Sequence, residues 1–169
     1  MPRPNENDFA PYYGRYIAQV NENDIAAAFA NQHALIESSL NAVPADKWDY
    51  AYAEGKWTIK EVVQHMIDAE RIFAYRALRI ARKDETPLPG FDENTYAPAS
   101  EAGRRTAAEL IEEFVTVRKT TELLFRSFTN EMLQHKGTAS NQPISVNALG
   151  FITLGHFYHH KNILEERYL

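Results

Sequence analysis

The 169-residue chain contains no cysteine. That absence removes disulfides, thiolate ligands and a cysteine nucleophile together, and leaves His, Asp and Glu as the strong ligands for any metal. An excess of positive charge is missing too, since 18 Lys and Arg stand against 23 Asp and Glu. Nucleic acid and anionic membranes are read by cationic faces, so neither is an expected partner. Long apolar runs are also lacking. No segment reaches the roughly 20 consecutive apolar residues that span a bilayer, and the opening stretch Met1-Pro2-Arg3-Pro4-Asn5-Glu6-Asn7-Asp8 has no apolar signal core. These exclusions predict a soluble, cytoplasmic protein. The length suits a single domain over 1–169 with a real hydrophobic core.

What the chain does have is helical period. Four segments carry it, joined by connections rich in Pro, Gly, Asn and Asp, with no repeat or low-complexity stretch, and the expected fold is an all-α four-helix bundle. The first helix is expected from about Asp24 to Leu40, with Ile25, Phe29, Ile36 and Leu40 on one stripe. The second opens on Thr58-Ile59-Lys60-Glu61, which has the Ser/Thr-x-x-Glu form of a capping box, and continues to about Arg82. Thr106 and Glu109 form another such box before the third, whose Leu110, Phe114, Val117, Thr121, Leu124 and Phe128 make a clean apolar stripe. Ser145 is placed to cap the last, after a polar loop through Gly137 and Asn141-Gln142-Pro143. Between the second and third helices, Asp84 to Arg105 includes Pro87-Leu88-Pro89-Gly90-Phe91-Asp92 and reads as a long crossover of the bundle end. Residues 1–22 form an N-terminal extension whose Tyr12, Tyr13, Tyr16 and Ile17 are expected to pack on the bundle, because disordered tails are poor in aromatics.

The last helix carries the chemistry. In Gly155-His156-Phe157-Tyr158-His159-His160-Lys161 the four-residue spacing of His156 and His160 puts two imidazoles side by side, the form of a metal-binding half-site. At about 100° per residue, both fall near the centre of the stripe formed by Leu149, Ile152, Thr153, Ile163 and Leu164, while His159 lies roughly 90° to one side. Inward imidazoles without partners are costly to desolvate. They need either hydrogen bonds or a metal.

A zinc-type catalytic site takes three protein ligands and keeps one position open. Three residues qualify by position as the third: His65, on the flank of the second helix's apolar stripe; His33, near the stripe of the first; and Glu70, close to the centre of the second helix's stripe. Glu70 is equally suited to an internal ion pair with Arg76, Arg118 or Arg167, and His33 to a boundary position with one wet edge. Asp68 faces away from the stripe, as does Tyr158 from that of the last helix; Tyr75 and Trp57 read as packing, and His135 as loop. The Glu-x-x-His motifs of di-iron bundles are absent, because Ala30, Val62, Met132, Thr153, His156 and Phe157 stand three before the histidines.

The stretch from Gly55-Lys56-Trp57 through His65 to Glu70-Arg71 resembles the second-helix signature of the DinB-like (YfiT-type) superfamily. Gly155 to Leu164 resembles its last-helix signature, and Pro87 to Glu93 its crossover. The resemblance implies a four-helix bundle holding a divalent metal, zinc or nickel, through His65, His156 and His160, with His159 left out. It further implies Lewis-acid chemistry, in which a water or an exogenous low-molecular-weight thiol such as bacillithiol or mycothiol is activated against a small electrophile. Glu70 or Asp68 would orient the ligands or accept a proton from the outer shell. The expected activity is thus a thiol S-transferase or hydrolase acting on a small molecule. The alternative is a metal-binding or homodimeric interaction module without turnover.

Overall fold

The computed structural model describes residues 2–169. Four long helices form the bundle: α2 (Ile25–Asn41), α3 (Ile59–Ala81), α5 (Ala107–Arg126) and α7 (Val146–Arg167). A single turn, α1 (Gly14–Ile17), precedes them; α4 (Glu93–Ala99) lies in the crossover, and α6 (Asn130–Gln134) follows α5. Each long helix begins where the sequence offers an acceptor for its unpaired N–H groups. Asp24 takes the amides of Ala26 and Ala27, Ser145 takes that of Ala148, and both predicted capping boxes form reciprocally.

Consecutive helices are not always neighbours. α3 packs on α5 and α7, and α2 packs on the same two, so α2 and α3 stand across the bundle from each other. The crossover that serves this topology is folded: Asp92 caps α4, and Leu88 exchanges backbone hydrogen bonds with Thr138 and Ser140.

The segment expected as a polar loop before α7 is a β-hairpin. β1 (Lys136–Ala139) pairs antiparallel with β2 (Gln142–Ser145). Its two-residue turn, Ser140-Asn141, has φ of 51° and 60°, the doubly left-handed form whose twist suits a tight hairpin. His135, expected in that loop, ends α6. The stripe read on α7 is likewise corrected. Every residue from Val146 to Phe157 is buried, because α1 covers the face that a four-helix bundle alone would leave wet. Tyr16 and Ile17 are buried in that contact, and Gly155 permits it, since a Cβ there would overlap the Tyr16 carbonyl oxygen.

The core falls into two apolar clusters with a polar layer between them. Along α2, Ile25, Ala28 and Phe29 belong to one cluster and Ile36 and Leu40 to the other, with buried Gln32 between. Along α3 the boundary residue is Glu70, beside Met66 and Ile67 on one side and Phe73 on the other; along α5 it is Arg118. Along α7 the change comes between Leu154 and Phe157, where His156 sits.

Candidate metal centre

His65 projects from α3 and His156 and His160 from successive turns of α7, two helices packed against each other. The Nε2 atoms of His65 and His156 are 3.1 Å apart, as are those of His156 and His160. Ligand atoms of all three lie within 4.8 Å of one another. Two nitrogens bound at about 2.05 Å to one tetrahedral ion are roughly 3.3 Å apart, so two of the three donor spacings suit an ion between them.

The imidazolium forms of all three are disfavoured. Burial pushes the His65 imidazole down to about 4, and holds His156 and His160 well below their ordinary value, with mutual repulsion adding to the effect. Neutral rings pair these nitrogens only in the tautomers that put a proton on a facing Nε2, whereas a cation would use all three lone pairs at once. The His65 ring lies 5.0 Å from that of Trp57, while His156 is flanked by Tyr16 at 5.5 Å and Phe73 at 5.8 Å. These apolar walls keep the imidazoles neutral and aimed.

Two clefts meet the cluster. The first, with about 120 Å³ of free space, is bounded by His65 and His156, runs along α3 past Ala69 and Phe73 to Arg76, and is closed by Tyr12, Tyr13, Tyr16 and the crossover residues Phe91 and Glu93. The second reaches His160 from the other side, between Trp57, Lys56, Tyr52, Asn94 and Arg167. The crossover and the N-terminal extension therefore roof the histidines. Glu93 lies near enough to His65 to oppose the effect of burial on it.

The two carboxylates considered for outer-shell roles do not reach the histidines. Glu70 receives Arg118 Nε at 2.9 and 3.1 Å and Nη2 at 2.7 Å, so both of its oxygens are taken. Asp68 accepts a 2.9 Å bond from Gln64 Nε2, half-buried beside Arg71, Arg105 and Glu113. His33 is half-buried away from the triad, and His159 packs on Tyr16 at a ring separation of 5.2 Å. Tyr158 is partly buried, and Tyr75, read as packing, is exposed. Sequence reading passed over Tyr16, Phe91, Glu93 and Arg76 as parts of the cleft. The aromatic density of the extension signalled the first of these, and the length of the crossover the next two. Arg76 had no signal beyond its place three turns after His65 on a shared face.

The sequence profile of the DinB superfamily matches residues 28–164. The chain belongs to that superfamily. A protein of Oceanobacillus iheyensis, provisionally named a metal-dependent hydrolase, is 27% identical over 103 residues, covering 56% of this chain and 59% of that protein. Among solved structures, YfiT from Bacillus subtilis, described as a probable metal-dependent hydrolase with an unusual four-helix bundle topology, superposes with a TM-score of 0.74 at 16% identity. The match covers 97% of this chain and 90% of YfiT. The mycothiol-dependent maleylpyruvate isomerase aligns with a TM-score of 0.65 at 13% identity, over 80% of this chain and 57% of that one. These likenesses establish the fold: a helical bundle of the YfiT kind.

Proposed function

We propose that His65, His156 and His160 hold a divalent metal, zinc or nickel, and that the protein is a metal-dependent enzyme of the thiol S-transferase or hydrolase type. The observation that carries the reading is the convergence of three imidazole nitrogens, from buried His156 and partly buried His65 and His160, beside an open cleft. The names given to the Oceanobacillus protein and to YfiT support metal dependence, and that of the isomerase supports a thiol.

A bound divalent ion would supply Lewis acidity, making a water or thiol acidic enough to act as a nucleophile near neutral pH. The chain's own groups do the rest. Trp57, Tyr16 and Phe73 exclude bulk water from the imidazoles and strengthen the electrostatics inside. Glu93, exposed at the lip of the cleft, has a carboxylate placed to take a proton from the incoming nucleophile and pass it to solvent. With no cysteine in the chain, any thiol must come from outside, and the cleft between α3 and the extension is its route.

Elemental analysis of purified protein beside a His160→Ala variant tests the metal. About one equivalent of ion in the wild type and little in the variant is expected; equal contents would overturn the site. Turnover of small electrophiles assayed with and without added thiol then separates the two reaction types. A fully metal-loaded protein inactive across both panels would sink the enzyme reading.

A further inference from the structure

Arg76 lies at the opposite end of the first cleft from the histidines, and it is built differently from the other arginine of the core. Arg118 is fully buried and spends its charge on Glu70. Arg76 is only 3% exposed, yet no carboxylate among the described residues pairs with it. Its Nη2 donates to the Pro89 carbonyl at 2.7 Å and to the Ser140 hydroxyl at 3.2 Å, with the Tyr13 hydroxyl alongside. These partners are dipoles, and they hold the guanidinium in place without neutralising it. A buried charge is costly unless an opposite charge meets it.

Fixing the crossover and the hairpin to α3 would account for the two hydrogen bonds, but an uncharged donor could make those. A positive charge walled by Tyr13, Phe73 and Phe91, and opening into the same cleft as His65 and His156, calls for an anion. Nη2 is committed to Pro89 and Ser140, so Nε or Nη1 is left to meet the anion, and a carboxylate oxygen accepts such a charge-assisted bond.

We infer that Arg76 is the carboxylate-binding residue of the cleft, and that the molecule acted on, or the thiol that serves it, carries a carboxylate several bonds from the group presented to the histidines. The inference rests on the metal-site reading above. From His65 to Arg76, α3 rises about 16 Å. The Arg76 side chain shortens that span, so a ligand bridging the two ends is extended rather than compact. Glu93, on the lip, leaves the cleft with one acidic and one basic group, which sets the ligand's direction: carboxylate towards Arg76, reacting group towards the histidines.

The test uses cobalt-loaded full-length protein and two probe series, 3-mercaptopropanoate through 8-mercaptooctanoate and the matching mercapto-alcohols. A thiolate-to-cobalt charge-transfer band reports contact at the histidine end, and calorimetry gives each Kd. The acids should bind about tenfold to a hundredfold tighter than the alcohols at a preferred chain length, as charge-assisted hydrogen bonds contribute. In Arg76→Gln that ratio should fall to near one, with cobalt content and alcohol affinity kept; in Arg167→Gln it should persist. A ratio undisturbed by Arg76→Gln, or one lost in Arg167→Gln instead, overturns the proposal. Should Arg76→Gln fail to fold, the wild-type ratio decides, since a value near one at every length refutes the carboxylate site. Failure of the protein to load cobalt would overturn the metal reading instead, and absence of the charge-transfer band in loaded protein would overturn thiol contact at the histidines, while the calorimetric ratio still judges Arg76.

Discussion

Two polar clusters occupy one level of the bundle, and they differ in what they leave over. In the first, Arg118, Glu70 and Gln32 close on themselves: Arg118 grips both Glu70 oxygens and also bonds Gln32, which donates to the Leu154 carbonyl at 2.9 Å. Donors and acceptors are matched, as buried charge requires. In the second, His65, His156 and His160 turn three Nε2 atoms on one another, and which of them donates depends on the tautomer of each ring. The clusters adjoin closely enough for the Arg118 charge to help keep His156 neutral. The first cluster is a structural joint and the second is the candidate binding site, and the pair can be separated by experiment.

The largest effect should come from opening the closed cluster. Arg118→Ala leaves Glu70 buried and unpaired, at a cost of about 3–5 kcal/mol. Urea denaturation should show this loss, whereas His156→Leu, assayed without metal, should cost little or raise stability. If His156→Leu is as damaging as Arg118→Ala, the contrast between joint and site fails.

Metal removal comes next. An ion bound only by the folded state, at a hundred times its Kd, adds about 2.7 kcal/mol to unfolding. Chelation should lower the melting temperature of the wild type and leave His160→Ala unmoved. A wild type whose melting temperature survives demonstrated loss of the ion would show that the ion does not link α3 to α7.

Acidification sharpens the comparison further in the metal-free protein. The three histidines titrate near 6.5 when unfolded, but folding lowers all three, His65 to about 4. As pH falls through 6.5 the unfolded chain takes up protons first, so stability present above that pH drains away towards pH 4. A His65→Gln/His160→Gln double variant should show a flatter melting profile over this window. Equal slopes would mean that the imidazoles are not held neutral by the fold.

The smallest change concerns the roof. Gly155→Ala forces a methyl group against the Tyr16 carbonyl, and such overpacking costs about 1–3 kcal/mol. Limited proteolysis should find the segment before α2 more readily cut, with α3 and α5 still protected. An unchanged digestion pattern would show that the close approach of α1 to α7 can relax at no cost.

The sequence carried the four helices because their beginnings are local. Asp24, Thr58 with Glu61, Thr106 with Glu109, and Ser145 each cap the helix they precede, and capping depends on residues three apart. The spacing of His156 and His160 was readable for the same reason. His65 came through resemblance, because a partner 91 residues away leaves no periodic trace. The hairpin escaped since its left-handed turn is Ser140-Asn141, without the glycine that usually announces one. The pairing of Glu70 with Arg118, among three eligible arginines, depends on which helices become neighbours. So does the all-round burial of α7, which follows from where α1 lies.

That neighbour relation has a kinetic side. His65 and the α7 histidines meet only once α7, the last helix in chain order, has docked between α2 and α3, a contact of long sequence separation that loop-closure entropy makes slow to form. A chain interrupted before α7 presents one imidazole of the triad, His65, and no chelate. Under the proposed metal site, capture of an ion would therefore report that the bundle is complete, and the event that arms the site would also lock the final helix in place.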